Sequence, residues 1–379
     1  MRRNLIASEG GSVYLFALCG ASVLQSVLSY LIAGRAGEFA GMNIGSWIAY
    51  AVNQFAIILV VVLFAVWRKY DVGEVSKIRP LTNPKRWALL VPITVVTIIA
   101  FLPLSMLFTT FLDVIGYPVG GGVSMPDYGS VGVYFLSLFL MAFLPAIGEE
   151  LLMRGTVLPA MTTRGVWFGV FISAFLFSFM HGNPLQTVYQ FCLGAVLAVL
   201  FLMSGSIIPC IIVHFLNNFI TITMSAYLPQ IDVLIAELGA FNWLTGAVSF
   251  AGGTLLLVFL LYLYHRAGKP RPKREDGGFR VVDNGVVFEE YALYAYADGA
   301  RSEKSKRPKF DFRHNAVADG LRFVGSMFTK RGWRTAELEL AEQGGVPYLG
   351  KQQPMINVWL AIGFATLWWM VTFISGLLV

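Results

Sequence analysis

The sequence is divided into nine apolar runs, and each is close to the roughly 20 residues that a transmembrane helix needs. Because a backbone inside lipid must satisfy its own hydrogen bonds, runs of this length predict helices. Of the 379 residues, 56% are hydrophobic and 13% are charged, whereas about 25% are charged in soluble domains. We therefore expect an all-α, polytopic membrane helical bundle of about 8–9 transmembrane helices. The runs lie near residues 13–33, 46–67, 87–111, 131–161, 165–182, 186–203, 206–227, 242–264 and 356–378.

Charges at the ends of these runs predict how the chain crosses the bilayer. Lysine and arginine collect in short connections, whereas the loops at 112–130 and 228–241 contain neither. The positive-inside rule then places the N-terminus in the cytoplasm and those two loops outside. Because the formal net charge of +6 comes mainly from short loops and one polar segment, it does not indicate a nucleic-acid partner. We expect an integral multi-pass protein of the plasma membrane, surrounded by the lipid bilayer.

The composition changes at Gly268, where a polar segment rich in glycine, proline, lysine and arginine begins. Such a segment cannot lie in lipid, so we expect it in the cytoplasm as a partly unstructured spacer, with a regulatory or docking role left open. Within it, Asn284-Gly285 lies between β-branched runs and predicts a short hairpin. His265 and His314 are expected at the surface. The resulting divisions are 1–130 with helices 1–3, 131–227 with helices 4–7, 228–266 with helix 8, the polar segment 267–354, and 355–379 with the last helix.

The fourth apolar run contains three charged residues, Glu149, Glu150 and Arg154. A charged side chain near the bilayer centre costs about 2.5–3.5 kcal/mol, so such residues usually face a bundle interior and mark a functional site. Later runs contain His181 and the pair His214 and Asn218. Each cluster alone also has a structural explanation, as a helix-stabilising ion pair or as polar contacts between helices. Three such clusters on nearby runs favour a shared site.

The depths of these groups in the bilayer decide whether they can meet. At about 1.5 Å per helical residue from the inner boundary, Glu149 lies about 20 Å deep, His181 about 25 Å, His214 about 12 Å and Asn218 about 18 Å. All four depths fall within a hydrocarbon layer about 30 Å thick. His181 is the outlier. Either a helix tilt or an early helix break at the sequence HGNP is needed to bring it level with Glu149.

The spacing of these residues indicates what each side chain can do. Glu150 and Arg154 are four residues apart on one helical face, where they can form an ion pair. Glu149 points about 100° away from that pair, which leaves it free to act as a general base. His214 and Asn218 are also four residues apart, and they offer a ring nitrogen and an amide donor that can stabilise an oxyanion.

The three motifs carry a resemblance to a known family. EExxxR at 149–154, FxxxH at 177–181 and HxxxN at 214–218 occur in this order on apolar runs. The ordered set resembles the CPBP intramembrane proteases, the family of the CAAX prenyl endopeptidases and bacteriocin-processing (Abi) proteins. The resemblance covers residues 131–225, about a quarter of the chain. It implies a membrane-embedded endopeptidase that acts on a membrane-associated protein or peptide substrate.

The same resemblance implies a role for each motif residue. Glu149 would activate a water molecule with help from His181, and Glu150 would assist. His214 and Asn218 would stabilise the oxyanion. Arg154 and Phe177 would support the site structurally.

The sequence leaves the participation of a metal open. Members of the family are often described as metalloproteases, and Glu149, His181 and His214 could hold Zn²⁺ with an open position. The HExxH spacing of many zinc proteases is absent, however. A glutamate-activated water without a tightly held metal is at least as consistent, and no other cofactor is expected.

Two other functions fit a membrane protein with buried glutamate and histidine. An ion- or proton-coupled transporter would use these groups as a relay, but it would favour inverted repeats, and the two halves of the sequence show no convincing repeat. A non-catalytic immunity or scaffold protein would be indicated by the loss of a motif residue, and all of them are present. The sequence therefore favours the protease.

Overall fold

The structure, a computed structural model, describes residues 5–32, 37–119, 125–228, 243–268, 274–275, 278–279, 316–345 and 354–378. Within these ranges the fold is a helical bundle with two short pairs of strands. Eight helical segments are long and apolar enough to cross a membrane, and one shorter apolar helix accompanies them. The predicted all-α, polytopic membrane bundle is thereby confirmed.

Most helices begin and end close to the predicted boundaries. The two strand pairs are antiparallel, β1 (Glu38–Phe39) with β2 (Met42–Asn43) and β3 (Arg274–Glu275) with β4 (Gly278–Phe279). The helices are α1 (Ala7–Ile32), α2 (Ile44–Arg68), α3 (Val72–Val75), α4 (Pro84–Val114), α5 (Val131–Ser137), α6 (Leu144–Leu152), α7 (Leu158–Thr162), α8 (Val166–Phe179), α9 (Thr187–Ser204), α10 (Ile208–Tyr227), α11 (Trp243–Gly268), α12 (Ala316–Ser326), α13 (Lys330–Gly344) and α14 (Ile356–Leu377).

The fourth span, Val131–Thr162, is a helical run with two π-helical stretches, Leu138–Phe143 and Met153–Val157. Backbone hydrogen bonds there reach five residues instead of four, and such bulges are frequent at functional sites. Each stretch is followed by a proline, Pro145 or Pro159, which has no N–H group to donate. The two π-helical stretches flank α6, the helix that carries both glutamates. The apolar pattern alone predicts a regular helix here and misses them.

The carbonyl group four residues before each of these prolines accepts a hydrogen bond from a side chain of another segment. The first proline cannot donate to Met141 O, four residues before it, and Asn218 Nδ2 donates to that oxygen over 3.2 Å. The second cannot donate to Gly155 O, and Ser76 Oγ donates there over 3.3 Å. Because a backbone carbonyl in a membrane core needs a partner, these two bonds stabilise the irregular helix on both sides of the glutamates.

The fifth predicted span, 165–182, is shorter in the structure. The helix α8 has 14 residues, about 21 Å at 1.5 Å per residue, which is less than a hydrocarbon layer about 30 Å thick. It ends at Phe179 because Gly182 adopts a φ of +56° and Asn183 caps a 3-10 turn that leads into α9. The helix therefore breaks early, at HGNP. The turn that carries His181 lies within the hydrocarbon layer rather than at its far side.

The polar segment contains two helices that its composition does not predict. They are α12 and α13, within residues 316–345, and they pack against α11 and α9; the partly unstructured spacer stays a prediction for the segment as a whole. The prediction that His265 is a surface residue is wrong. Its side chain is buried, with Nε2 3.1 Å from Glu339 Oε2 on α13. The Asn284-Gly285 turn and His314 lie outside the described residues.

The last helix is joined to the first. Asn357 Nδ2 on α14 donates to Ser12 Oγ on α1 over 2.8 Å. Gly11 lies so close to the α14 backbone that a Cβ atom at this position would be in collision with it. On its other side α1 packs along α2, which in turn contacts α6. The helices α14, α1 and α2 are therefore in contact in this order, and α2 lies beside the helix that carries the two glutamates.

Candidate active site

Three of the residues predicted from the motifs converge on one small space. Glu149 lies on α6, His214 on α10, and His181 in the turn after α8. Glu149 Oε2 is 3.7 Å from His181 Nε2 and 4.0 Å from His214 Nε2. The early end of α8 explains how His181 reaches this level. The predicted meeting of a carboxylate with imidazoles from different helices is therefore present in the structure.

Glu150 belongs to a second, fully buried network, which shares His214 with the first cluster. Its Oε1 accepts hydrogen bonds from Arg154 Nη1 over 2.8 Å and from His214 Nδ1 over 2.9 Å. Arg154 Nη2 donates in addition to Gly194 O over 2.8 Å. Both members of the ion pair are 0% exposed, so each charge depends on the other and on these hydrogen bonds for stabilisation. The predicted Glu150–Arg154 pair is confirmed, and it also holds the His214 ring.

The hydrogen bonds of the two Nδ1 atoms define the tautomers of both histidines. His181 Nδ1 lies 2.8 Å from Phe177 O, and His214 Nδ1 lies beside the Glu150 carboxylate. A carbonyl and a carboxylate accept hydrogen bonds, so each Nδ1 carries a proton and acts as the donor. Both Nε2 atoms lie near Glu149 Oε2, a buried atom without a hydrogen-bond partner among the described residues. Three polar atoms thus surround one space, an arrangement suited to a bound water molecule.

Gln54 is a site residue that the sequence analysis missed. It is buried in α2, and its Nε2 donates to Glu149 Oε1 over 2.9 Å. This bond leaves Oε2 as the oxygen that faces the histidines. Gly148 permits the contact, since a Cβ atom there would lie 2.7 Å from Gln54 Oε1. The available signal was a pair of adjacent amides, Asn53 and Gln54, within an apolar run.

Phe177 packs at the centre of the cluster. The Arg154 guanidinium carbon lies 4.6 Å from the centroid of its ring, a distance typical of a cation–π contact. The His181 and His214 rings meet the Phe177 ring edge to face, with centroids 5.1 Å and 5.6 Å away. One aromatic side chain thereby sets the distance between the buried ion pair and the two imidazoles. The structural support predicted for Phe177 and Arg154 stays a prediction.

Asn218 lies further from the converging atoms than its motif suggests. Its Nδ2 donates to Met141 O, and its Oδ1 accepts from Asn217 Nδ2 over 3.1 Å. Asn217 Oδ1 in turn accepts a hydrogen bond from the Tyr189 hydroxyl. The described contacts of Asn218 thus join α10 to the π-helical stretch before α6, rather than to Glu149 or to either histidine. Its predicted role at the oxyanion stays a prediction.

The spacing of the converging atoms does not support the zinc site predicted from Glu149, His181 and His214. Two ligands of a tetrahedral zinc at about 2.0–2.1 Å lie about 3.4 Å apart, and the separations from Glu149 Oε2 are 3.7 and 4.0 Å. In the part of the chain that the structure describes, no group of three histidine, cysteine, aspartate or glutamate side chains is arranged to hold a metal ion. We derive no chemical step through a metal.

Comparison with known proteins finds a family match in the region that contains the three motifs. A family model described as type II CAAX prenyl endopeptidase Rce1-like matches residues 131–220. The match includes all seven residues predicted from the three motifs, whereas Gln54 lies outside it. No curated protein and no solved structure matches the chain.

Proposed function

We propose that the chain, which matches the CPBP or CAAX family of intramembrane proteases over residues 131–220, hydrolyses a peptide bond with a water molecule activated by Glu149. The observation that supports this most directly is the unpartnered Glu149 Oε2 between two imidazole Nε2 atoms. A water molecule in this space would donate one hydrogen bond to the carboxylate and one to an imidazole nitrogen. Such a water is oriented and ready to lose a proton.

The proposed reaction begins when Glu149 accepts a proton from this water. The resulting hydroxide adds to the scissile carbonyl carbon, and the carbonyl oxygen becomes an oxyanion. His181 holds the second hydrogen of the water and so directs its lone pair at the carbonyl. Glu149 then gives its proton to the leaving nitrogen, the carbon–nitrogen bond breaks, and a carboxylic acid and an amine result. The carboxylate is regenerated for the next cycle.

The oxyanion needs donors, and His214 is placed to become one. Its Nδ1–H is held by the Glu150 carboxylate over 2.9 Å, and this bond directs Nε2 toward Glu149. A proton taken up from solvent before the water attacks, and kept by the ring through the cycle, would let Nε2–H donate to the oxyanion in a water-poor site, where such bonds are strongest. We propose that Asn218 assists with the N–H of its amide that is not bonded to Met141 O.

The proposed substrate is a membrane-associated protein or peptide, because Glu149 and His214 lie within helical segments long and apolar enough to cross a membrane. We further propose that the protein resides in the plasma membrane with its N-terminus in the cytoplasm, on the distribution of lysine and arginine in the loops. The polar segment 267–354 would then be cytoplasmic as well.

The test is a comparison of membrane peptides from cells that carry the wild type, Glu149→Gln or Glu38→Gln. Glu38 is an exposed residue of β1 and serves as the matched control for loss of one carboxylate. We expect new peptide termini in wild-type and Glu38→Gln cells that are absent from Glu149→Gln cells. The same set of termini in all three would overturn the proposal.

A further inference from the structure

A cleft with polar walls opens beside the proposed catalytic residues. Its volume is about 220 Å³, and it lies between α1, α2, the turn after α8 and α14. Its polar lining consists of Ser22 and Gln25 from α1, Asn53 from α2, His181 and the indole of Trp368. The other lining residues are apolar, and no charged side chain other than the titratable His181 lines it. A cleft of this composition suits an uncharged ligand that offers hydrogen-bonding groups.

The cleft leads directly to the atoms that would carry out the reaction. His181 lines the cleft and also lies 3.7 Å from Glu149 Oε2. Two adjacent residues of α2 contact the two regions separately. Gln54 bonds to Glu149, and Asn53 lines the cleft. A ligand bound there therefore lies next to the space proposed for the water.

Two amide side chains in the cleft have no partner in the described part of the protein. The exposed Gln25 and the half-buried Asn53 lie within helices apolar enough to span a membrane, and neither side chain makes a hydrogen bond to another described residue. Asn53 is nine residues from the start of α2, which places it about 14 Å along the helix. Unsatisfied amides at such depth are costly. They are explained if a ligand supplies the missing donors and acceptors.

A peptide backbone in an extended conformation is the ligand that matches these amides. Each side-chain amide offers one carbonyl acceptor and N–H donors, the complement of a peptide unit. A helical peptide has already used its backbone groups internally, whereas an extended one presents them to its surroundings. We infer that the cleft binds the substrate as an unwound, uncharged backbone segment next to the scissile bond. This inference rests on the proposed protease function.

The last helix completes the cleft from outside the region that matches the family model. The Trp368 indole lies directly over Gly182, where a side chain would collide with the ring and the φ of +56° also favours glycine. Trp369 Nε1 donates to Thr187 Oγ1 over 2.7 Å, and the Trp369 ring lies against Phe179. Both ends of the turn that carries His181 are thus fixed by α14. The selection of substrates by this protein therefore depends on a helix additional to the matched core.

The kinetic test uses a synthetic peptide that spans a cleavage site found in wild-type cells and not in Glu149→Gln cells. A fluorophore and a quencher are attached on opposite sides of the scissile bond. We expect the double variant Gln25→Leu/Asn53→Leu to raise KM about tenfold or more and to change kcat less than about threefold, as for lost ground-state binding. Ser26→Leu is the control, since Ser26 is an exposed neighbour that bonds within its own helix. An unchanged KM in the double variant would overturn the inference.

A second measurement does not depend on turnover. The photoreactive amino acid p-benzoylphenylalanine replaces Gln25, or Ser26 as control, in the Glu149→Gln protein. The probes are a biotinylated decapeptide of Gly, Ala, Ser and Val, and the same peptide with lysine at every third position. We expect the uncharged peptide to crosslink at position 25 only and the charged peptide to crosslink weakly. Equal labelling at both positions, or of both peptides, contradicts the inference, while cleavage by Glu149→Gln contradicts the catalytic proposal alone.

Discussion

Gln54 Nε2 donates a hydrogen bond of 2.9 Å to Glu149 Oε1, although the two residues are 95 positions apart in the sequence and lie on different helices. The bond occupies one carboxylate oxygen and leaves the other between His181 and His214. Gln54 therefore positions the proposed base without contacting the substrate. Its contribution is expected in the chemical step rather than in substrate binding.

The first prediction follows from this arrangement. Gln54→Leu should lower kcat about 10- to 100-fold, because a small misplacement of a reacting group has effects of this size. KM should change little, and the elution profile and thermal unfolding midpoint should stay close to those of the wild type. Steady-state kinetics on the fluorogenic peptide provide the measurement. The neighbouring variant Asn53→Leu should show the opposite pattern, a raised KM with kcat nearly unchanged, and the same kinetic change in both would refute the division of tasks.

The second prediction concerns the converging atoms themselves. Glu149→Gln and His181→Ala should each reduce kcat about 100-fold or more, the range attributed to a positioned acid or base. Both proteins should still insert and fold, since neither residue belongs to the buried Glu150 network. Activity and thermal unfolding are measured on the same preparations, with Glu38→Gln as the control. Wild-type activity in either folded variant would remove that residue from the mechanism.

Much of this site could be predicted because helix geometry converts spacing into direction. Residues four apart share a face, which is why the Glu150–Arg154 pair is in the structure as expected. The early break at HGNP was one of two ways to bring His181 level with Glu149, and the end of α8 at Phe179 shows that the break occurs. The positions of these motif residues could therefore be predicted from the local sequence.

The remaining features depend on contacts between distant segments. Gln54 could not be assigned a partner from sequence, because its bond to Glu149 requires α2 to pack on α6 beside Gly148. The π-helical stretches follow from backbone geometry that an apolar pattern does not encode. The bond from Asn218 to Met141 O arises only once α10 lies against such a stretch. The buried position of His265 depends likewise on α13 packing over the end of α11.

The third prediction tests the buried ion pair. Arg154→Met should lower the free energy of unfolding by about 3–5 kcal/mol, because it leaves the Glu150 carboxylate buried without its cation. The double variant Glu150→Leu/Arg154→Met should be more stable than Arg154→Met, since no uncompensated charge remains. Unfolding midpoints in detergent compare the three proteins. A double variant that is less stable than the single variant would show that the charge is not the source of the effect.

The fourth prediction concerns Lys77, which lies between α3 and α4, outside the spanning helices. Burial, with a smaller effect of nearby Arg79, lowers the pKa of Lys77 from 10.5 to about 8. The unfolded chain then binds more protons than the folded protein between pH 8 and 10.5, so stability should rise with pH in this window. Lys77→Met should remove that part of the pH dependence and raise the unfolding midpoint at pH 7.

The matched control for this variant is Lys69→Met. Both lysines have a positive φ, 50° at Lys77 and 57° at Lys69, so the backbone cost of the substitution is comparable. Lys69 is exposed, and its replacement should leave the pH dependence intact. Unfolding midpoints are measured from pH 7 to 11 for all three proteins. A Lys77→Met protein that keeps the wild-type slope would contradict the assignment of the titration to Lys77.

The fifth prediction separates a glutamate-activated water from a metal-bound one. The distances of 3.7 and 4.0 Å from Glu149 Oε2 to the two Nε2 atoms are wider than ligands of one zinc ion require. Incubation of the purified protein with 1,10-phenanthroline, followed by its removal, should therefore leave kcat and KM unchanged. Elemental analysis should find less than about 0.1 zinc per protein chain at full activity, a content too low for a required ligand. Loss of activity with the chelator, and its return on addition of one equivalent of Zn²⁺, would instead show that the reaction requires a metal.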